Sequence, residues 1–267
     1  MAPDSTSFIG SIPELYDRHL GPVFFDPYAA DLAARIDPGA LPLLDLASGT
    51  GRLTGPLLKR VGAANATVVA LDLNPAMQQI AKRRVTDRRA RVVTGNAMAL
   101  PCANGTFAQA VCQFGFMFFG DKVRAAAEVR RVLRPNGVFL FNLWSSIAEN
   151  PLAEIAVRVV GQFFTSAPPT FYHVPFGYFD HDRIRTDLRG GGFHSIEIAT
   201  VDLPGQCESA AHIATGLVKG SPIAAEIAER ATAPADAITK AVAAELERVF
   251  GAGSFQVPMR ALVVRAA

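Results

Sequence analysis

The residues with the clearest chemical potential form a short acid- and glycine-rich stretch early in the chain. Asp45 lies within an apolar run, and Gly49 and Gly51 follow it closely. Glycine has no Cβ, so its backbone adopts positive φ easily and a ligand can approach it. A second apolar run ends in Asp72, 21 residues after Gly51. This spacing is typical of a nucleotide-binding βαβ unit, in which the second acid accepts hydrogen bonds from ribose hydroxyls.

The elements around these residues have to be a strand, a tight loop and a helix. Residues 52–61 after the glycines have a helix-compatible pattern, and Gly62 ends it. The first N–H groups of a helix have no intrahelical partners and favour a carboxylate or a phosphate. Asp72 also has a structural interpretation, as a cap for the helix that begins at Asn74-Pro75. The combination of strand, loop and acid favours the ribose role.

Two classes of cofactor use this geometry. A dinucleotide fingerprint needs a glycine or alanine three residues after its second glycine. Thr54 occupies that place when the pattern starts at Gly49, and Arg52 occupies it when the pattern starts at Ala47. The stretch instead resembles the Asp-x-x-x-Gly-x-Gly loop of class I S-adenosylmethionine-dependent methyltransferases, most closely the methyltransferase type 11/25 group that includes the ubiquinone-biosynthesis enzymes.

Two later motifs carry the same resemblance. Residues 95–101, Gly-Asn-Ala-Met-Ala-Leu-Pro, resemble the family loop Gly-Asp-Ala-x-x-Leu-Pro, with Asn96 in place of the acid that accepts from the adenine amino group. The amide oxygen of asparagine can still accept a hydrogen bond. Residues 133–137 resemble the Leu-x-Pro-Gly-Gly turn that precedes the fifth strand of the family. Asn136 replaces the first glycine there and can also take positive φ.

The element pattern predicts an α/β fold. Strands alternate with helices through the first 143 residues, which indicates a parallel sheet covered on both faces. The resemblance implies a Rossmann-like seven-stranded, mostly parallel sheet with helices on both faces and the last strand antiparallel. We expect residues 1–267 to form a single methyltransferase domain. Within it, we interpret residues 1–28 as an N-terminal lid segment and residues 145–182 and 204–252 as substrate-cap excursions.

Two local features of these segments carry expectations of their own. Pro22 and Pro27 are expected to interrupt any long helix in residues 8–27, because proline lacks an N–H donor. Residues 168–179 are rich in proline and aromatic residues, which predicts a lid over an apolar ligand. A packed surface excursion is the alternative interpretation of that segment.

The resemblance also implies a set of cofactor contacts. The cofactor would be S-adenosylmethionine, with S-adenosylhomocysteine as the product. Asp45 would order the loop or accept from the methionine amino group, and Leu73 and Met77 would sandwich the adenine, although a core role for Met77 stays open. The full set of expected cofactor-binding residues is Tyr16, Asp45, Ala47, Gly49, Gly51, Asp72, Leu73, Met77, Asn96, Ala97 and Gln113.

In this chemistry the positive sulfur already activates the methyl group. The main catalytic contribution of the protein is therefore to align the reactants. Gln113 would lie beside the methyl-transfer path. A hydroxyl or acidic-carbon nucleophile can require a general base. His173, in the aromatic segment, is the first candidate for that catalytic role, followed by His19 and His212.

The sequence therefore predicts methyl transfer from S-adenosylmethionine to a small, largely apolar or aromatic acceptor, at oxygen or carbon. A non-catalytic S-adenosylmethionine-binding protein, an NAD(P)-dependent reductase and a nucleic-acid methyltransferase are the alternatives. A net charge of +2 gives no strong field for nucleic acid or membrane. Three cysteines lack metal-ligand spacing, so no metal is expected. No signal peptide or apolar stretch of about 20 residues is evident, and a cytoplasmic monomer or homodimer is expected.

Overall fold

The computed structural model describes residues 8–62 and 66–267, and its centre is one seven-stranded sheet. The strands are β1 (Leu43–Leu46), β2 (Val68–Asp72), β3 (Ala90–Thr94), β4 (Phe107–Gln113), β5 (Leu133–Trp144), β6 (Ile196–Cys207) and β7 (Phe255–Ala266). Their order across the sheet is β3-β2-β1-β4-β5-β7-β6. Strands β1 to β5 pair in parallel, and β7 pairs antiparallel with β5. The α/β fold predicted from the sequence, with its antiparallel last strand, is confirmed.

Helices connect the strands. They are α1 (Ile12–Leu15), α2 (Asp26–Ala34), α3 (Thr54–Val61), α4 (Pro75–Arg84), α5 (Lys122–Val132), α6 (Pro151–Gly161), α7 (His181–Gly190), α8 (Ala210–Lys219), α9 (Ile223–Arg230) and α10 (Ala235–Phe250). The side chains of α2 and α3 pack in one buried cluster with apolar residues of β1, β2, β4, β5 and β7. Every residue of β1 is buried, as expected for a central parallel strand covered on both faces.

The prolines near the N-terminus do not break the helical structure. A π-helix, Tyr16–Phe25, joins α1 directly to α2, so the chain is helical from Ile12 to Ala34. Pro22 lies inside the π-helix, and the N–H of Asp26 donates to the carbonyl of Gly21, five residues earlier. Inside an α-helix, proline removes one backbone hydrogen bond, and its ring clashes with the carbonyl of the residue four positions earlier. The wider π turn relaxes that conflict, so the expected interruption was wrong.

The chain divides into two compact units. Of the described residues, the first unit contains 8–27, 145–177 and 202–260, and the second contains 28–62, 66–144, 178–201 and 261–267. The second unit holds β1 to β5, most of α2, α3 to α5 and α7. The first unit holds α1, the π-helix, α6 and α8 to α10. Residues 1–7 of the expected N-terminal lid lie outside the described residues. That the whole chain acts as a single methyltransferase domain stays a prediction.

None of the helices in residues 8–62 and 66–267 has the length and apolar character that a membrane span requires.

Candidate functional site

The carboxyl ends of β1 and β4 mark the point where the strand order reverses, which is where open α/β sheets bind ligands. Asp45 lies on β1 and is completely buried. Thr54 Oγ1, at the start of α3, donates to Asp45 Oδ2 over 2.6 Å. Asp45 Oδ1 has no hydrogen-bond partner among the described residues. Burial raises the pKa of Asp45 to about 7, against the hydrogen bond from Thr54, and the nearby charge of Asp72 raises it further.

The loop after β1 turns through three left-handed residues. Ala47 has φ 53°, Gly49 has φ 53° and Gly51 has φ 79°. A Cβ at Gly49 would meet no atom within 4 Å, so this backbone is open to a ligand. A Cβ at Gly51 would lie 3.0 Å from Cγ2 of Val85, just after α4. The sequence assigns both glycines the same role, but in the structure the packing around α4 requires Gly51.

Asp72 ties this loop to the end of β2. Its Oδ2 accepts the N–H of Gly49 over 2.8 Å, and its Oδ1 accepts the N–H of Asn74 over 2.7 Å. The cap of α4 is Asn74, whose Oδ1 accepts the N–H groups of Ala76 and Met77. Asp72 is therefore not the helix cap. Burial raises its pKa, although backbone N–H groups oppose that shift. A carboxylate has about four acceptor positions, so Asp72 can still accept a ribose hydroxyl.

The residues expected around an adenine differ in how accessible they are. Leu73 is 39% exposed, whereas Met77 and Ala97 are buried. Burial of Met77 is compatible with both roles that the sequence left open for it, a place in the core and a contact with adenine. Asn96 Oδ1 accepts the N–H of Met98 over 2.9 Å, which fixes the loop after β3. The Gly95 N–H donates to the Asp72 carbonyl over 3.0 Å, so this loop starts directly beside the second acid.

Three polar residues at this edge of the sheet were not identified from the sequence. Thr54 orients Asp45, and the buried Ser48 Oγ has no partner among the described residues. Gln78 Nε2 donates to the Asp72 carbonyl over 2.6 Å and to the Val93 carbonyl over 2.8 Å, which joins the ends of β2 and β3. A glutamine beside the apolar face of a helix was the available signal for Gln78.

The end of β4 bends next to the β1 loop. Gln113, the last residue of β4, is half-buried. The left-handed residue at this bend is Phe114, with φ 49°. The next residue has to be glycine, since a Cβ at Gly115 would lie 2.6 Å from the Cβ of Ala47. The β4 bend and the β1 loop are therefore in direct contact.

The structure separates the candidates into two groups. Tyr16 and His173 belong to the first unit, and the ten other expected cofactor-binding residues belong to the second. Tyr16 lies in the π-helix and stacks on Phe25, with ring centroids 4.9 Å apart. His173 ends a short 3₁₀ turn and is exposed. The roles of Tyr16 and His173 stay predictions.

The aromatic segment is more buried than an open lid would be. Phe171, Tyr172 and Phe176 are each less than a tenth exposed, within the first unit. The Tyr172 hydroxyl donates to the Leu217 carbonyl over 2.6 Å. Tyr172 therefore bonds within its own unit, and the choice between a lid and a packed surface excursion stays a prediction.

The second unit fits a cofactor that carries an ammonium group and ribose hydroxyls. Asp45 Oδ1 is a buried acceptor without a partner among the described residues, Gly49 presents open backbone, and Asp72 follows on the adjacent strand. Leu73 adds an exposed apolar side chain beside Asp72. Within residues 8–62 and 66–267, no cluster of three or more His, Cys, Asp or Glu side chains is arranged to hold a metal ion.

Comparison with known proteins identifies the same segment. A family profile described as "Methyltransferase domain" matches residues 43–137. A demethylmenaquinone methyltransferase of Thermus thermophilus is 40% identical over 111 residues, which cover 41% of this chain and 49% of the relative. A ubiquinone/menaquinone biosynthesis C-methyltransferase UbiE of Methylobacterium nodulans is 41% identical over 101 residues, which cover 37% and 40%. The chain spans at most about half the length of these relatives.

A solved structure extends the likeness in fold to almost the whole chain. Phosphoethanolamine N-methyltransferase 2 of Haemonchus contortus, in complex with S-adenosyl-L-methionine, superposes with a TM-score of 0.61 at 15% identity. The match covers 98% of this chain and 58% of that chain. Residues 43–137, which contain the acid–glycine loop, Asp72 and the Pro-Asn-Gly turn, therefore form a methyltransferase domain.

Proposed function

We propose that the protein transfers a methyl group from S-adenosylmethionine to a small, largely apolar or aromatic acceptor. The observation that carries this proposal is the buried Oδ1 of Asp45, unpartnered among the described residues, beside the open Gly49 backbone. A carboxylate oxygen without a donor is costly in a protein interior, and the ammonium group of the cofactor would supply that donor. Asp72 would hold the ribose hydroxyls, and Leu73 would cover one face of the adenine.

When bound, S-adenosylmethionine supplies a methyl group on a positively charged sulfur. The chain contributes position, since an in-line approach of the nucleophile converts a bimolecular step into an effectively unimolecular one. One relative is named a demethylmenaquinone methyltransferase, and the other is named a ubiquinone/menaquinone biosynthesis C-methyltransferase. These names support a ring carbon of a hydroquinone as the nucleophile. Removing a hydroxyl proton makes that carbon electron-rich, and His173 is the proposed acceptor of the proton. The carbon would take the methyl group as the sulfur–methyl bond breaks and S-adenosylhomocysteine leaves, and loss of the carbon's own proton to water would restore the aromatic ring.

Calorimetric titration of the purified protein with S-adenosylmethionine, S-adenosylhomocysteine and NADPH tests the cofactor first. The wild type should bind the two sulfur ligands at micromolar level. Asp72→Ala should lose at least tenfold in affinity, because it removes a ribose acceptor and the anchor of Gly49. Asp87→Ala is the matched control, since Asp87 is a surface acid of the same unit that pairs with Arg89. Binding of NADPH alone would support the reductase alternative instead.

Turnover requires a separate measurement, because one fold can host unrelated activities. Methyl-labelled S-adenosylmethionine should yield labelled product with 1,4-naphthoquinol or a substituted hydroquinone, and NMR of the product distinguishes a carbon-bound from an oxygen-bound methyl. His173→Ala should lower turnover more than tenfold with cofactor binding unchanged, and His181→Ala, also exposed, is its control. A smaller loss rules out His173 as the base. Cofactor binding without transfer to any acceptor would favour the non-catalytic alternative.

A further inference from the structure

The bend after β4 contains an unusual backbone conformation. Phe114 has φ 49° and is only 5% exposed. A bulky side chain rarely adopts the left-handed region, and such strain persists only where the surroundings hold it in place. The bend lies at the strand end that faces the proposed cofactor. Its geometry therefore needs an explanation from its neighbours.

The neighbour that holds the bend is Asn142. It lies on β5, paired in register with Gln113, and is completely buried. Its Oδ1 accepts the N–H of Phe114 over 2.9 Å. Asn142 Nδ2 has no partner among the described residues. The side chain is therefore held by the hydrogen bond that its oxygen accepts from Phe114.

The ring of Phe114 is fixed as well. It stacks on Trp144, with ring centroids 3.9 Å apart and planes 9° apart. Tyr28 meets it edge-on at 5.3 Å. The side chain of Phe114 is therefore held by aromatic neighbours, whereas Asn142 acts on its backbone N–H.

The bend in turn sets the position of the β1 loop. Gly115 follows Phe114, and it is so close to Ala47 that an added Cβ would lie 2.6 Å from the Ala47 Cβ. Ala47 is itself left-handed, with φ 53°. Ala47 and Phe114 are thus two left-handed non-glycine residues that follow the strands on either side of the switch point. Gly115 lies between them and allows the two backbones to approach. A shift of the bend would displace the loop that presents Gly49.

We propose that Asn142 is a positioning residue for the cofactor site. Its side-chain carbonyl holds Phe114 in the left-handed conformation, which places Gly115 as the support for the Ala47–Gly49 backbone. Asn142 acts through Phe114 and not on the reacting atoms. The inference rests on the proposed function, because that proposal assigns the β1 loop to S-adenosylmethionine.

The test is calorimetric titration of S-adenosylhomocysteine into three variants. Asn142→Leu keeps the approximate volume but removes the acceptor, and it should bind at least tenfold more weakly than the wild type. Asn142→Asp keeps an oxygen for the Phe114 N–H and should stay within threefold. Gln109→Leu is the matched control: Gln109 is a buried amide near the other end of β4 that holds the backbone at Asp37 and Ala40. It should lower stability but bind within threefold of the wild type.

Trp144 gives a second readout, because it is the single tryptophan of the chain. Its emission should change in Asn142→Leu, where Phe114 is released, and should match the wild type in Asn142→Asp. If Asn142→Leu does not fold, Asn142→Ser repeats the measurement with a side chain too short to make the contact.

The outcomes separate the two proposals. A wild type that does not bind S-adenosylhomocysteine overturns the proposed function and with it the role of Asn142. A wild type that binds, together with a folded Asn142→Leu that binds within threefold, overturns only the positioning role. A tenfold loss in both Asn142→Leu and Asn142→Asp also overturns it, because the acceptor oxygen would then not be the cause.

Discussion

The two compact units differ in how the hydrogen bonds of their buried polar groups are satisfied. In the second unit, buried acids at the strand ends are satisfied by backbone N–H groups and hydroxyls, and Asp45 keeps one oxygen without a partner among the described residues. In the first unit, the buried amide of Asn150 is satisfied within the unit, because its Nδ2 donates to the carbonyls of Ser146 and Arg260 and its Oδ1 accepts the N–H of Arg260. A half-buried pair of histidines, His19 and His212, lies where two helices meet, with ring centroids 4.3 Å apart. The first arrangement leaves binding capacity at the strand ends, whereas the second joins neighbouring elements of the unit.

One titratable group in each unit should respond to pH in the opposite direction from the other. The pKa of Asp45 is raised, so folding favours its protonated form. The pKa of His19 is lowered by burial and by the charges of His212 and Arg18, against a hydrogen bond to the His212 backbone and the charge of Glu208, so folding favours its neutral form. Acidification should therefore stabilise the second unit through Asp45 and destabilise the first through His19.

The largest expected effect is at Asp45. Its pKa lies near 3.8 in an unfolded chain and about 7 in the folded protein, so its contribution to the free energy of unfolding falls as the pH rises from 4 to 7. Three pKa units correspond to about 4 kcal/mol. Asp45→Asn should remove this slope and make the protein more stable at pH 7.5, as measured by urea unfolding at several pH values.

The same substitution should weaken S-adenosylhomocysteine binding by at least tenfold, because an amide oxygen cannot supply the charge that an ammonium group requires. Wild-type affinity should fall as the pH drops below 7, and the variant should lack that dependence. Asp87→Asn is the control, because the pKa of Asp87 is lowered to about 2 and it titrates below this window. An unchanged pH slope in Asp45→Asn would contradict the buried-acid interpretation.

An intermediate effect is expected where α8 meets the π-helix. A Cβ at Gly216 would lie 2.5 Å from Leu20 Cδ2 and 2.8 Å from the Cβ of His19. Gly216→Ala should lower the free energy of unfolding by about 1–3 kcal/mol, as overpacking of a close contact does. Gly161→Ala is the matched control, because its Cβ would meet only Pro168, at 3.7 Å. Equal stability of the two variants would argue against close helix packing in the first unit.

The smallest expected effect is at His19. Because its pKa is lowered, its contribution to stability is lost as the pH falls through the usual range of histidine. His19→Phe should reduce the drop in melting temperature between pH 7.5 and pH 5.5, and His181→Phe, at an exposed position, should leave it unchanged. If both variants keep the wild-type drop, the histidine pair does not account for the acid sensitivity of the first unit.

The local pattern of the sequence determined the cofactor half of the protein. The acid–glycine loop, the second acid and the Pro-Asn-Gly turn follow short-range rules, because strand ends and turns depend on a few adjacent residues. Asn136 does take positive φ, at 63°, as its place in the turn requires. The same rules failed at Pro22, which lies inside a π-helix instead of ending a helix.

Only the tertiary structure decided what the polar residues of this edge do. Gly49 and Gly51 look equivalent in the sequence, but their roles diverge because Val85 lies against only one of them. Asn142 lies in an apolar strand and belongs to no recognisable motif. Its role becomes visible only in the structure, where it accepts the N–H of Phe114, 28 residues earlier in the chain. Short-range pattern fixes which backbone can bind a cofactor, whereas long-range packing fixes which side chains hold that backbone in place.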